Sequence, residues 1–200
     1  ITVHPRPDER HVRQSDVPAL KEVVTTELNV EGNPTRAFLD LVISVKPHQV
    51  TLVPDEPGAL TSDSGWDTLK HQSFLTEVIA ELKSKGIRVS IFIDPEEEKI
   101  SAAADTGADR IEVYTGPYAE AFAKGSHETI LNKHVESAAL ANRLGMAVNA
   151  GHDLNLQNLK VYKNAVHPLH EVSIGHALTV DSLYYGMENV VKMYLLQLQS

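Results

Sequence analysis

The chain has 200 residues, of which 42% are hydrophobic and 22% are charged, and this composition indicates one folded domain over residues 1–200 rather than a disordered chain. No apolar run approaches the roughly 18 residues that a membrane span requires, which excludes a membrane protein. The formal charge is −9 and Lys and Arg form no cluster, so nucleic acid is excluded as the main partner.

The chain contains no cysteine, which excludes a disulfide framework, a thiolate metal site and a cysteine nucleophile. A cysteine-free chain suits a reducing compartment, and we expect a cytoplasmic location. The first residues, Ile1-Thr2-Val3, show neither an initiator methionine nor a signal-peptide pattern, and they read as part of a strand. We therefore expect a further strand and helix upstream of residue 1.

Short β-branched runs alternate with longer helical stretches along the chain. Seven strands are predicted, over residues 1–4, 27–31, 49–54, 88–94, 110–115, 146–152 and 171–176. The helices that follow them are predicted over residues 17–24, 34–45, 67–85, 96–104, 118–144, 155–165 and 180–198. The longest loop is 55–65, whose glycine, proline and acidic residues are typical of a mobile lid.

Residues 89–93 are apolar nearly throughout, which is typical of a parallel strand covered on both faces. Parallel strands with helical crossovers build either an open doubly wound sheet or a (β/α)8 barrel. A complete barrel has about 250 residues, or roughly 30 per unit. Two hundred residues that start within a strand therefore favour the α/β class, as a (β/α)8 TIM barrel whose first βα unit is missing from this chain.

Polar and ionisable residues collect at the carboxyl ends of the predicted strands, where the active sites of such barrels lie. Ionisable side chains are rarely placed there for packing alone, so this concentration indicates function. The candidates are His4, Arg6, Glu31, Thr61, Asp94, Glu112, His152, Gly175 and His176.

Two of the candidates are glutamates. Alternation along the fifth strand directs Ile111 and Val113 toward the helices and Glu112 into the barrel, where Glu112 either contacts a ligand or forms an internal ion pair, for example with Arg110. Glu31 ends the second strand. It is either a general base whose pKa rises in a dry pocket or a carboxylate that complements the next helix N-terminus.

The loop after the first strand, residues 4–11, holds two histidines, two arginines and two prolines. Because proline limits the freedom of the loop, its cations are partly preorganised for an anion. Arg6 is suited to bind a phosphate through its planar guanidinium, and a neighbouring imidazole to share the charge or move a proton. The alternative is a solvated charged turn.

Two Gly-His pairs end neighbouring strands, Gly151-His152 and Gly175-His176. Glycine lets a ligand approach the backbone closely. The second pair precedes a helix start predicted near Thr179, and this position is a recurrent phosphate site in barrels.

A metal site is the competing interpretation of these side chains, because His4, His152, His176 and Glu31 supply suitable nitrogen and oxygen ligands. The chain has neither a His-x-His strand pair nor a His-Glu-x-x-His helix, and it has no glycine-rich nucleotide loop. We therefore expect no metal and no cofactor.

Five segments together resemble the pyridoxine 5'-phosphate synthase family: TVHPRPDERH at 2–11, ELNVEG at 27–32, RIEVYTG at 110–116, NAGH at 149–152 and IGHA at 174–177. They occur in the family's order over the whole chain. The resemblance implies a (β/α)8 barrel that assembles as a homo-octamer. It also implies the condensation of 1-deoxy-D-xylulose 5-phosphate with 3-amino-2-oxopropyl phosphate, which yields pyridoxine 5'-phosphate, phosphate and water.

The resemblance also implies roles for the proton-transfer groups. His4 and Glu31 would accept protons, His152 would donate one, and Glu112 would stabilise charge during the reaction. Amine condensation, loss of water and phosphate, and ring closure all need proton transfers, whereas no redox or metal step is required.

The substrate contacts implied by the resemblance involve both phosphorylated molecules. Arg6, His11 and Thr61 would hold the deoxyxylulose phosphate, and Gly175 and His176 would contact the aminoketone phosphate.

Two departures from the family pattern affect the substrate sites. Asp153, which we count among the substrate-binding residues, follows His152 where the family usually has glycine, and it adds negative charge beside the second substrate. The lid reads LTSDSG over residues 60–65, where the family more often has Thr-Glu-Gly-Gly. The competing functions are a metal-dependent barrel hydrolase that uses the same His and Glu residues, and a non-catalytic barrel that binds phosphate esters.

Overall fold

The structure is a computed structural model that describes residues 1–55 and 58–199. Two positions of the predicted lid, 56 and 57, lie outside the described residues. The strands are β1 (Thr2–Val3), β2 (Asn29–Gly32), β3 (Gln49–Leu52), β4 (Arg88–Ile93), β5 (Arg110–Tyr114), β6 (Ala147–Gly151) and β7 (Glu171–Ser173). The helices are α1 (Asp16–Val23), α2 (Arg36–Val45), α3 (Thr68–Ser84), α4 (Glu97–Asp105), α5 (Gly116–Ala123), α6 (Glu128–Arg143), α7 (Leu159–Ala165), α8 (His176–Tyr185) and α9 (Met187–Leu198).

The seven strands form one sheet in chain order, and every neighbouring pair is parallel. With helices between successive strands, the sheet curves into a nearly closed barrel, which confirms the predicted fold class. Because the strands are parallel and adjacent in sequence, their carboxyl ends meet at one rim. The loops that follow β1 to β7 therefore share that rim, which we call the mouth.

The two faces of the strands differ in chemistry because side chains alternate along each strand. The outward positions are apolar and fully buried against the helices: Val30, Val50, Leu52, Val89, Ile91, Ile111, Val113 and Val148. The alternate positions place polar side chains inside the barrel: Asn29, Glu31, Thr51, Ser90, Glu112 and Asn149. The apolar core thus lies between strands and helices, while the interior is polar.

The end of the barrel opposite the mouth is closed by arginine contacts. Arg110 is hydrogen-bonded to Asn149 at 3.1 Å and pairs with Glu171, and Arg88 donates to Gln49 at 2.9 Å. Arg110 is therefore not the partner of Glu112, and the predicted alternative of an ion pair between these two residues is wrong.

Two predicted helices are each divided in the structure. The helix predicted over 118–144 is α5 followed by α6, with Gly125 at φ +71° between them, and the helix predicted over 180–198 is α8 followed by α9, with Gly186 at φ +80°. A glycine in the left-handed region ends a helix without strain, and helical periodicity alone does not reveal such a break. Over the described ranges, none of the helices combines the length and apolar character that crossing a membrane would require.

His134 on α6 is a buried ionisable group outside the set of candidate site residues. Its Nδ1 lies 3.0 Å from the hydroxyl of Tyr162, and its Nε2 is buried with no hydrogen-bond partner among the described residues. Burial lowers the pKa of His134 to about 4. The folded state therefore holds the neutral imidazole at a pH where the unfolded chain is already protonated.

We expect His134 to lower the free energy of unfolding as the pH falls. Between pH 6.5 and 4 the unfolded state binds the extra proton, so wild type should lose up to about 3 kcal/mol relative to His134→Asn. Urea unfolding across this range measures the difference, with His167→Asn, at an exposed histidine, as the matched control. The interpretation fails if the two variants show the same pH dependence.

Candidate active site

His4 and Glu31 face each other at the mouth, at the ends of β1 and β2. His4 Nδ1 lies 3.9 Å from Glu31 Oε2, and both side chains are mostly buried. Burial, assisted by the charge of Arg6, lowers the pKa of His4 to about 4. Burial, followed by the charges of Glu112 and Asp55, raises the pKa of Glu31 well above its ordinary value. The pair thus combines a neutral imidazole with a carboxyl group that favours its protonated form.

Glu31 also has an unused acceptor. Its Oε1 is buried and has no hydrogen-bond partner among the described residues. An orphaned carboxyl oxygen in a buried position is costly unless a ligand supplies a donor. This observation favours the predicted functional interpretation of Glu31 over that of a carboxylate that only complements a helix.

Glu112 lies inside the barrel, where its side chain is almost entirely buried. It accepts a hydrogen bond from the Thr51 hydroxyl at 3.5 Å. Burial raises the pKa of Glu112 to about 7, against hydrogen bonds from Ser173 and Thr51 that favour the charged form. A Cβ at Gly151 would lie 2.0 Å from Glu112 Oε1, so the carboxyl reaches this position only because residue 151 has no side chain.

Arg6 is buried below the loop that follows β3, and it already has partners. It donates to Asp55 Oδ2 at 2.9 Å, to Ser62 Oγ at 3.4 Å and to the Ala59 carbonyl at 3.4 Å. The alternative of a solvated turn is thus wrong for Arg6. An anion bound by this guanidinium would have to share it with, or displace, Asp55.

The basic loop contributes further groups near Arg6. Arg10 donates to the carbonyls of Ala59 and Leu60 at 2.6 and 2.9 Å, which ties the loop after β3 to the loop after β1. His11 is exposed, and among the described residues it is linked to this group only through its electrostatic effect on His4. A cavity of about 560 Å³ opens beside His4 and Arg6, which is enough for a small phosphorylated molecule.

His152 is held at the mouth by contacts on both ring nitrogens. Its Nε2 lies 2.8 Å from the Thr61 hydroxyl, and its Nδ1 lies 3.2 Å from Asp153 Oδ2, an ion-pair distance without the alignment of a hydrogen bond. The ring meets Tyr114 edge-on, with centroids 5.5 Å apart. The predicted site residues Thr61, His152 and Asp153 are therefore in direct contact.

The second Gly-His pair lies beside the first. The ring centroids of His152 and His176 are 6.4 Å apart. His176 is the first residue of α8 and Gly175 its N-cap, so the prediction that the seventh strand runs to His176 is wrong, as is a helix start near Thr179. The helix N-terminus that favours an anion thus lies at the Gly-His pair itself.

Asp94 is a predicted candidate whose carboxylate is engaged in contacts outside this group. Its carboxylate accepts from the Gly65 amide at 3.1 Å and pairs with Lys99 at 2.8 Å, so it fastens a loop to β4. Asp55, Ser62 and Thr115 are contacts of site residues that were not among the candidates. Only Asp55 carried a signal, as an acidic residue directly after a strand.

Metal ligation was the competing interpretation of the histidines. Across residues 1–55 and 58–199, no three His, Cys, Asp or Glu side chains come together as a group that could hold a metal ion. His4 is paired with Glu31, whereas His152 contacts Thr61, Asp153 and the ring of His176.

Comparison with known proteins gives both a family and a fold. The family model described as pyridoxal phosphate biosynthesis protein PdxJ matches residues 1–200. The pyridoxine 5'-phosphate synthase of Cytophaga hutchinsonii is 54% identical over 199 residues, which cover 100% of this chain and 83% of the relative. That of Christiangramia forsetii is 55% identical over 195 residues, which cover 98% of this chain and 82% of the relative.

Solved structures with low sequence identity share the fold. A structure described as native KDPGal superimposes with a TM-score of 0.64 at 12% identity, covering 100% of this chain and 82% of that one. Monomers generated from the dimeric phosphoribosylanthranilate isomerase of Thermotoga maritima give a TM-score of 0.60 at 12% identity, covering 98% and 85%.

Glu112 should lower the free energy of unfolding as the pH rises, whereas His134 should lower it as the pH falls. Its pKa rises from about 4.5 unfolded to about 7 folded, so the folded state keeps a proton that the unfolded state loses between these values. Relative to Glu112→Gln, wild type should therefore lose up to about 3 kcal/mol as the pH rises from 4.5 to 7. Urea unfolding of both proteins over this range measures the effect.

A control for Glu112 is Glu120→Gln, at an exposed glutamate on α5. This control should track wild type across the same pH range. A constant difference between wild type and Glu112→Gln would contradict a raised pKa at Glu112.

Proposed function

This chain belongs to the PdxJ family of pyridoxal phosphate biosynthesis proteins, and we propose from that premise how the mouth of its barrel carries out the family's reaction. The chain is an enzyme, and its function is that of a pyridoxine 5'-phosphate synthase. The reaction joins 1-deoxy-D-xylulose 5-phosphate to 3-amino-2-oxopropyl phosphate and releases pyridoxine 5'-phosphate, phosphate and water.

The assignment of roles rests on one observation: the pKa values of neighbouring ionisable groups are shifted in opposite directions. The pKa of His4 is lowered, whereas the pKa values of Glu31 and Glu112 are raised, within one mouth. Carboxyl groups whose pKa is raised toward neutral pH are suited to exchanging protons there, and the neutral imidazole of His4 leaves a ring nitrogen free to accept one. A reaction that removes several protons and two kinds of leaving group needs such a set.

We assign His4 and Glu31 as proton acceptors. His4 is unprotonated at neutral pH because its pKa is about 4, so a ring nitrogen is free, and the anionic phosphate of a bound substrate would raise this pKa and make His4 a stronger base. Glu31 favours its protonated form because it is buried. Arrival of the substrate ammonium would supply a positive charge, lower the pKa of Glu31 and release the carboxylate as a base.

We assign His152 as the proton donor and Glu112 as the group that stabilises positive charge. The Thr61 hydroxyl contacts Nε2 of His152, so a substrate that binds Thr61 would also lie within reach of that nitrogen. Glu112 lies deeper, in contact with Thr51, where a carboxylate would stabilise an iminium or ammonium that forms above it.

The two phosphates are assigned to two different groups of residues at the mouth. Arg6, His11 and Thr61 would hold the deoxyxylulose phosphate, which is supported by the buried guanidinium and the cavity beside it. Gly175 and His176 would hold the aminoketone phosphate at the N-terminus of α8.

Asp153 lies on the side assigned to the second phosphate. Because its carboxylate repels that phosphate, its assigned contact is with His152 and with the substrate amine rather than with the phosphate.

We also propose the octamer and the cytoplasmic location. The octamer rests on the family resemblance, and exposed apolar side chains on α8 and α9 are candidates for its contacts: Val180, Leu183, Tyr184, Tyr185, Met187, Leu195 and Leu196. A surface patch of this kind marks an interaction site. A cytoplasmic location is supported by the charge of both phosphate esters, which cross membranes poorly.

Self-association should show in the mass of the native particle. Sedimentation of wild type should give eight copies, and Leu183→Glu should give smaller particles because a charge would be buried in the contact. Lys124→Glu, an exposed change at the C-cap of α5, serves as the control and should keep the wild-type mass. A wild-type particle that sediments as one copy would show the octamer to be wrong.

Glu31→Gln should separate binding from chemistry. The variant should bind 1-deoxy-D-xylulose 5-phosphate within a few-fold of wild type, while single-turnover formation of pyridoxine 5'-phosphate falls about a hundredfold or more. Glu27→Gln, at the opposite end of the barrel, should react at the wild-type rate. An unchanged rate in Glu31→Gln would refute the role of Glu31.

The same assay distinguishes the competing functions. Formation of pyridoxine 5'-phosphate that persists after exhaustive chelation would dismiss a metal-dependent hydrolase. Binding of both substrates without product would support a barrel that only binds phosphate esters.

A further inference from the structure

The turn that carries His152 has an unusual backbone. His152 has φ +89° and Asp153 has φ +57°, so two successive residues with side chains occupy the left-handed region. The backbone of a residue other than glycine is strained in this region, and such a turn persists only when its surroundings hold it. The position of the His152 imidazole therefore depends on whatever holds residues 151–153.

Thr115, at the end of β5, holds the start of this turn. Its amide donates to the Gly151 carbonyl at 2.9 Å, and its hydroxyl lies 2.6 Å from the same oxygen. The hydroxyl also contacts the carbonyl of His152, so its one proton is shared between two successive carbonyls. Thr115 is fully buried, and β5 pairs with β6 directly beside this point.

Thr115 is also the N-cap residue of α5. A threonine in that position ordinarily accepts a hydrogen bond from the first turn of its own helix. Here the side chain makes no such bond. The hydroxyl is instead committed to the carbonyls of the neighbouring loop, at the expense of the local cap.

The other end of the turn is held as well. Asn158 donates to the Asp153 carbonyl at 3.2 Å, and the Tyr118 hydroxyl donates to the Asn158 carbonyl at 2.9 Å. With both ends fastened, the imidazole of His152 projects into the mouth, where its Nε2 meets Thr61.

We propose that Thr115 is a positioning residue for His152. Its hydroxyl fixes the left-handed turn that aims the imidazole at the reacting groups, and Thr115 itself touches no substrate. The inference rests on the proposed function, in which His152 donates a proton.

The test removes the hydroxyl with little change of shape. In Thr115→Val the kcat should fall at least tenfold, because a small displacement of a proton donor slows its transfer, while the KM for 1-deoxy-D-xylulose 5-phosphate stays within twofold. Thr115→Ser restores the hydroxyl and should restore kcat to within threefold.

A matched control is Thr106→Val. Thr106 is also buried and its hydroxyl donates to the Ala103 carbonyl at 2.6 Å, but it lies at the end of α4. The Thr106→Val variant should lose a comparable hydrogen bond and keep the kcat of wild type. An equal loss in both variants would mean that the effect is one of general stability and would overturn the proposal.

A double-mutant cycle with His152→Asn is the decisive measurement. If Thr115 acts through His152, adding Thr115→Val to His152→Asn should lower the remaining rate by less than twofold. Independent, multiplying losses would overturn the proposal.

A readout without turnover keeps this inference separate from the proposed function. The imidazole signals of His152, assigned in NMR spectra through His152→Asn, should shift in Thr115→Val, return in Thr115→Ser and stay unchanged in Thr106→Val. Unchanged signals in Thr115→Val would overturn the positioning role, whereas absence of product from wild type would overturn the proposed function alone. Should Thr115→Val not fold, Thr115→Cys, which keeps a weak donor, replaces it in the same comparisons.

Discussion

Glu31 and Glu112 are carboxyl groups buried close to each other at the mouth of a barrel of parallel strands. Without water to solvate them, each favours its protonated form, and the charge of Glu112 adds to the effect on Glu31. Among the described residues no cation pairs with Glu112, because Arg110, on the same strand, is committed to Glu171 at the other end of the barrel. The site is therefore built to receive a positive charge from a ligand, as an amine substrate would provide.

Several polar groups of the mouth make internal contacts. Arg6 pairs with Asp55, and His152 contacts Thr61. Such contacts preorganise side chains at modest cost, because the charged and polar atoms keep partners until a ligand replaces them. A substrate that binds here must replace existing contacts. The affinity for a phosphate would therefore reflect the difference in free energy between the Arg6–phosphate contact and the Arg6–Asp55 contact.

Regular patterns in the sequence predicted the strands correctly. Short β-branched runs located all seven strands, and alternation along the fifth strand predicted the orientation of Glu112, since a side chain in a strand has only two faces to choose from. The predicted helix lengths were wrong where single residues interrupt a pattern: Gly125 and Gly186 break helices that periodicity predicts as continuous. The contact of Asp55 with Arg6 could not be predicted, because it spans 49 positions of the chain.

The sequence alone determined the class of fold, the polar mouth, the resemblance to a family and the residues able to move protons there. These properties follow from local alternation, from residue chemistry and from short motifs, which are all present in the order of the residues. The tertiary structure decided the protonation preferences of Glu31 and Glu112, the pairing of Arg6 and the strained turn held by Thr115. Each of these depends on burial and on contacts between distant segments, which exist only when the strands have closed around a shared interior.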